Sequence, residues 1–100
     1  MVVVELLKFE VAAEDREKYL QIDREIWTKA IAQFPGFITK EVWLNPQAPT
    51  EVILVIRWRS RQEWKAISVQ LLEEIERQFV LKMGSISYKI VESVEYQVAE

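Results

Sequence analysis

The spacing of apolar and polar residues divides this chain into six elements. Residues 2–11, VVVELLKFEV, are dense in β-branched side chains and too short for a lone helix. They predict a strand that is apolar on both faces except at Glu5, Lys8 and Glu10. The next segment carries a helical period. At about 100° per residue, Tyr19, Leu20, Ile22, Ile26, Trp27, Ala30, Ile31 and Phe34 share one half of a helix over 14–34, and Lys18, Gln21, Glu25, Thr28 and Lys29 share the other. Pro35 and Gly36 end it. Residues 37–44 predict a second strand, NPQAPT at 45–50 a turn, and 51–59 a third strand. The centre of that strand, VILVI, has no polar position and therefore needs cover on both faces. Ser60 and Glu63 have the spacing of a capping box. They start a short helix to about Ile67, which bends at Ser68 into a longer one ending at Met83 and closed by Gly84. Leu72, Ile75, Phe79, Val80 and Met83 form the apolar side of the longer helix. Over 86–98, Ile86, Tyr88, Ile90, Val94, Tyr96 and Val98 alternate with Ser87, Lys89, Ser93, Glu95 and Gln97, which predicts a last strand.

The order β-α-β-β-α-β predicts an α+β ferredoxin-like sandwich, with both helices on one face of a four-stranded antiparallel sheet. At 100 residues and with no linker, it is one domain, 1–100. The second sheet face is left open, yet the third strand is apolar on that side too. A second copy packed sheet to sheet covers it most economically, as a homodimer. Four Trp in so short a chain agree.

Composition removes several classes of chemistry. A net charge of −3 offers no basic stripe for a nucleic acid. The absence of Cys excludes disulfides, thiol redox chemistry and Cys-based zinc sites. The absence of His removes Ser-His-Asp catalysis, His-ligated haem and most transition-metal sites. No metal or cofactor is expected. The apolar start is interrupted by Glu5 and Lys8 and has no basic residues before it, so neither a signal peptide nor a membrane span is expected, and the expected location is cytoplasmic.

Asp23 is the leading candidate for chemistry. It falls near the centre of the first helix's apolar half, between Tyr19 and Trp27, and so faces the sheet. A carboxylate there needs a partner, a raised pKa or a wet pocket. It serves either as a general base or ligand-orienting group, or as one end of a structural hydrogen bond. Arg57, at the end of the third strand, is either an anchor for a ligand anion or the partner of an acid within the fold, with Asp23, Glu5, Glu41 and Glu92 as candidates. Glu76 is read as a solvated residue at the edge of its helix's apolar side. EEIER, 73–77, is read as a solvated face with a Glu73–Arg77 pair. Trp27, Trp43, Trp58 and Trp64 are either core and dimer contacts or the lining for a flat apolar ligand.

Two stretches carry a family resemblance over essentially the whole order of elements. PGFITKEVW, 35–43, resembles the helix-to-strand corner of the dimeric α/β-barrel superfamily. VILVIRWRSRQEW, 52–64, is similar to that superfamily's third strand, with its apolar run, Trp, helix cap and helix. Within the superfamily the chain resembles the antibiotic-biosynthesis-monooxygenase-like proteins. More closely, through IWTKAI, PGFITKEVW and VIRW, it looks like a family of short cyanobacterial proteins of no assigned activity. The resemblance implies two protomers joined into a barrel and a pocket between sheet and helices. In the monooxygenases it implies oxidation of polycyclic aromatic substrates without metal or flavin by pocket Trp, Asn and Tyr residues. Trp58 matches the third-strand Trp, but Asn45 lies in the turn and matches no pocket Asn. Haem-degrading relatives use a His on the following helix, where this chain has Ile67. Relatives also include isomerases, so the fold does not fix the reaction. The readings are a non-catalytic barrel with an apolar ligand pocket, a carrier or sensor using that pocket, or a cofactor-independent monooxygenase or isomerase. The last would act on a lipophilic aromatic or quinone-like molecule, with Asp23 as base, Arg57 as anion anchor and Trp27, Trp58 and Tyr88 as lining.

Overall fold

A computed structural model describes all residues from Met1 to Glu100. Strand β1 spans Val3–Val11, and a short 3-10 turn, Ala13–Asp15, leads into the first helix. That helix, α1, has three parts: a regular stretch Arg16–Asp23, a π-helical stretch Arg24–Thr28 and a final turn Lys29–Ile31. Then follow β2 (Phe37–Trp43), β3 (Glu51–Trp58), α2 (Arg61–Lys65), α3 (Val69–Met83) and β4 (Tyr88–Gln97). The sheet is antiparallel with order β2-β3-β1-β4, so β2 and β4 are free edges and the sheet is open. This is the expected four-stranded α+β architecture. No helix is long and apolar enough to cross a membrane.

Alternation sorts the two central strands. Val3, Glu5, Leu7 and Phe9 pair across with Trp58, Ile56, Leu54 and Val52 on the face toward the helices, and Val11 lies on the same face opposite Tyr88. Tyr19, Ile22, Phe79 and Met83 pack on that face with Val11, Val52 and Leu54, while Val3, Ile31, Ile56 and Trp58 form a second cluster beside it. The outer face carries Leu6 between Val55 and Val94. Val55 is 1% exposed although no helix covers it, whereas Trp43 and Tyr96 are about half exposed on the same side.

Two bulges alter the expected alternation. In β2 the register slips between Phe37 and Thr39, leaving Ile38 as the extra residue. Phe37 and Lys40 therefore both lie on the inner face, opposite Trp58 and Ile56. In β4 the slip falls between Ile90 and Glu92. Tyr88 and Ile90 share a face with Val11 and Phe9, but Val94 and Tyr96 share the outer face with Leu6 and Val4. The apolar residues of β4 thus serve both faces, where an unbroken period of two predicts one.

The helix boundaries follow their caps. Ser60 Oγ accepts from the Glu63 N–H at 3.1 Å, and Ser68 Oγ accepts from the Leu71 N–H at 3.4 Å. The Pro35-Gly36 corner depends on glycine. Gly36 has φ +89°, and a Cβ there would stand 2.7 Å from Glu63 Cβ, which is fixed to the α2 backbone. Gly36→Ala is expected to cost about 1–3 kcal/mol from the left-handed backbone alone, and more with the clash. Gly84→Ala, also at positive φ (+59°) but facing open space, should carry a backbone cost without the clash and so cost less than Gly36→Ala. Urea denaturation of the two variants checks the order. On α3, Arg77 pairs with Glu74 rather than with Glu73.

Candidate functional site

Between the helices and the inner sheet face lies a cavity of about 240 Å³, lined by residues of every strand and of all three helices. Its walls are mostly aromatic and aliphatic, with Trp27, Trp58, Trp64 and Phe79 among them. The polar groups are few: Glu5, Tyr19, Asp23, Lys40, Glu76 and Tyr88.

Asp23 faces the sheet, as its position in the helical period predicts, and is 2% exposed. Its partner is Lys40. The Lys40 ammonium donates to Asp23 Oδ2 at 2.6 Å and to Thr28 Oγ1 at 2.8 Å, and both charged side chains are 3% exposed. A strand period of two does not place Lys40 inside with Phe37; the bulge at Ile38 brings it there. The helical period sets Thr28 on the polar half of the helix. In a regular helix, at about 100° per residue, Thr28 stands roughly 140° around from Asp23. The wider π turn over Arg24–Thr28 adds a residue to the turn and swings Thr28 to the same side. The π turn and the bulge thus meet at one buried ammonium.

Of the other expected site residues, Trp27, Trp58 and Tyr88 line the cavity and Arg57 does not. Its placement is corrected by strand alternation. Arg57 pairs with Val4 and Thr39 on the outer face, where its guanidinium bonds Glu41 at 2.9 Å in partial exposure. The link considered between Arg57 and Asp23 or Glu5 is corrected for the same reason. Glu92, another acid weighed for Arg57, lies on the outer face beside Lys8 at 3.6 Å.

Two glutamates do enter the cavity. Glu5 Oε1 accepts from Trp58 Nε1 at 3.2 Å. Burial pushes the Glu5 carboxyl above its ordinary value, opposed by the Trp58 hydrogen bond and the charges of Lys65 and Lys40. Glu76, expected to be solvated, instead accepts from the Tyr88 hydroxyl at 2.9 Å. Burial first, and then this bond, pushes the Tyr88 phenol up to about 12. Tyr19 is 1% exposed and its hydroxyl has no protein partner. Every side-chain polar atom shut off from open space has one, so this hydroxyl opens on the cavity. Burial, reinforced by the charges of Asp23, Tyr88 and Glu76, raises its pKa far above the usual phenol value.

The Glu5 shift has a testable sign. A carboxyl raised in the folded state binds its proton more tightly there. Its contribution to stability is therefore fully present below the unfolded value of 4.5 and is lost as pH rises through the folded value. Glu5→Gln removes this loss. The melting temperature of the variant relative to the native chain should rise between about pH 4 and pH 8; a constant difference across that range would contradict it.

The sequence model of the antibiotic biosynthesis monooxygenase family matches residues 1–68. The chain belongs to that family. The match covers the corner at Pro35-Gly36, both bulge-forming and cavity-lining residues of β2, and Trp58, but ends before α3. No functionally curated protein matches the sequence. Among solved structures, a proposed antibiotic biosynthesis monooxygenase from Bordetella bronchiseptica is similar with a TM-score of 0.75 at 10% identity, over 99% of this chain and 98% of that one. A second, from Nitrosomonas europaea, gives 0.72 at 14% identity, over 98% and 90%. SnoaB, a cofactor-independent oxygenase from Streptomyces nogalater, gives 0.66 at 11% identity, over 99% and 94%. At these identities the likeness is one of fold, and it extends through α3 and β4, beyond the matched residues.

Proposed function

We propose that this family member works in the cytoplasm as a single-domain homodimer, joined through the outer sheet face, and takes up a flat, mostly apolar small molecule between its helices and sheet. The observation that carries this reading is the cavity itself. A space of about 240 Å³ persists although four Trp are available to fill it, and three of them line it. Tight interiors leave few voids larger than a water molecule, and a well-formed apolar cavity with a few convergent polar groups is the usual form of a ligand site. The outer face supports the dimer. Leu6, Val55 and Val94 stand side by side there, flanked by Trp43 and Tyr96. The segments that resemble short cyanobacterial proteins include Trp27, Lys40 and Trp58, so any member of that group with the same residues is expected to share the site.

Family membership favours a second reading, turnover of a lipophilic aromatic or quinone-like molecule without a cofactor, by oxygenation or isomerisation. Asp23 is then the base. Because Lys40 holds its Oδ2, the proton would go to Oδ1. Asp23→Asn should then keep binding and lose turnover.

Native mass spectrometry of freshly purified protein tests the main reading. A dimer carrying the mass of a small apolar molecule, or able to take one up, is the expected result. A monomer that accepts no such molecule would falsify it. Leu6→Arg, which places a charge at the centre of the outer face, is expected to convert the dimer to a folded monomer, with the sedimentation coefficient as readout.

A further inference from the structure

The charges around the cavity do not balance. Four ionisable groups of fixed sign line it: the acids Glu5, Asp23 and Glu76 and the base Lys40. Asp23 and Lys40 cancel at 2.6 Å. Glu5 and Glu76 then remain, and neither has a cation within ion-pair distance. Each is held by one neutral donor, Trp58 Nε1–H and Tyr88 O–H respectively. At the Glu76 end the site is also aromatic. Phe9, Tyr19, Phe79 and Tyr88 form a cluster with ring centroids 5.3–6.3 Å apart. The Tyr19 side chain is almost fully buried, but its hydroxyl, with no protein partner, opens on the cavity that Glu76 also lines.

A carboxylate oxygen without a donor, a hydroxyl free to accept and several ring faces are together the complement of an ammonium group. Each N–H⁺ finds an acceptor, and the rings stabilise the charge through their quadrupoles. An anion would meet the opposite: the Glu76 carboxylate with no cation in ion-pair distance, the Glu5 carboxyl at the far end, and an ammonium already committed to Asp23 and Thr28.

We propose that the cavity selects an organic cation, an aromatic or aliphatic molecule bearing one ammonium group, received by Glu76 and the Tyr19 hydroxyl while its apolar body lies along the cavity toward Trp27 and Trp58. This rests on the reading of the cavity as a ligand site and narrows it to a class. Glu5 contributes through the negative potential at the far end. Lys65, the charge that acts most strongly on Glu5, is exposed to solvent and stacked over the Trp64 ring at 4.0 Å. It does not neutralise the Glu76 end.

Three probes with one ring system separate the possibilities: 1-naphthylmethylamine, 1-naphthalenemethanol and 1-naphthoate, titrated calorimetrically into the native protein at neutral pH. The amine is expected to bind at least about tenfold more tightly than the alcohol, the equivalent of one charge-assisted hydrogen bond. The naphthoate should bind most weakly. Glu76→Gln, shown to be folded by circular dichroism, should bring the amine to within about threefold of the alcohol, since the charge that favoured it is gone. The alcohol or naphthoate binding as tightly as the amine would overturn the cation inference and leave the cavity reading standing, as would a folded Glu76→Gln that keeps the full preference. If none of the probes binds, the cavity reading falls and this inference with it. Should Glu76→Gln fail to fold, the three probes on the native protein decide the matter alone.

Discussion

Replacing Lys40 with Met is expected to lower the stability of the fold by about 3–5 kcal/mol, because it leaves Asp23 as a buried charge with no partner. For a chain of this size about 1 kcal/mol moves the melting point by roughly 4–8 °C, so a fall of more than about 10 °C should follow. The magnitude comes from geometry. Both side chains are 3% exposed, so bulk solvent does not reach the stranded carboxylate, and water can approach it only through the cavity it lines. Asp23→Leu alone should cost a similar amount, since it strands the ammonium with only the Thr28 hydroxyl. The double change Asp23→Leu with Lys40→Met should recover most of the loss, because a buried ion pair gains little over an apolar pair of similar volume. Thr28→Val removes one hydrogen bond and should cost only about 1 kcal/mol. Thermal melts followed by circular dichroism rank the four variants. A Lys40→Met variant within about 1 kcal/mol of the native chain would mean that the pair is hydrated in solution.

Why Asp23 could be found in the sequence and Lys40 could not is a matter of periods. A helical wheel needs only a regular helix, and α1 is regular up to Asp23. It ceases to be regular one residue later, and there the wheel misplaces Thr28. For β2 the period of two would set Phe37 and Lys40 on opposite faces. The bulge at Ile38 sets them on one face, and nothing local in PGFITK marks which residue bulges. Arg57 shows the converse. Strand β3 is regular, and counting from buried Val52 by twos reaches Leu54, Ile56 and Trp58 but never Arg57. The alternation alone therefore sets Arg57 on the outer face.

The architecture was legible because its signals are local and mutually consistent. Pro35-Gly36, Ser60, Ser68 and Gly84 each sit at an element end in the structure. The change of face in β4 was not legible, since Tyr88, Ile90, Val94 and Tyr96 keep one parity through a slip that only the pairing with β1 reveals. That slip has a consequence for assembly. Without it Val94 and Tyr96 would point to the helices, and the outer face would lose two of its apolar residues.

Trp58→Ala is the second large effect expected, at about 3–5 kcal/mol, the range for truncating a fully buried Trp. Trp58 is 1% exposed at the end of β3, edge-on to Phe37 with centroids 6.0 Å apart, and it closes the second core cluster against Val3, Ile31 and Ile56. The void it leaves joins a cavity already present, so the walls have less to collapse onto than in a filled core. The indole also supplies the one hydrogen bond that Glu5 receives. Trp58→Phe keeps most of the volume and removes that N–H, and so separates the two contributions. It should cost about 1–3 kcal/mol, the penalty for leaving a buried acceptor unpaired. Most of that cost should vanish at low pH, where Glu5 is protonated, or in a Glu5→Gln background, whereas the packing loss of Trp58→Ala should persist in both. A double-mutant cycle over residues 5 and 58 measures the coupling directly. Coupling near zero would show that Glu5 draws its stabilisation from water in the cavity rather than from the indole, and would leave Trp58 as a packing residue alone.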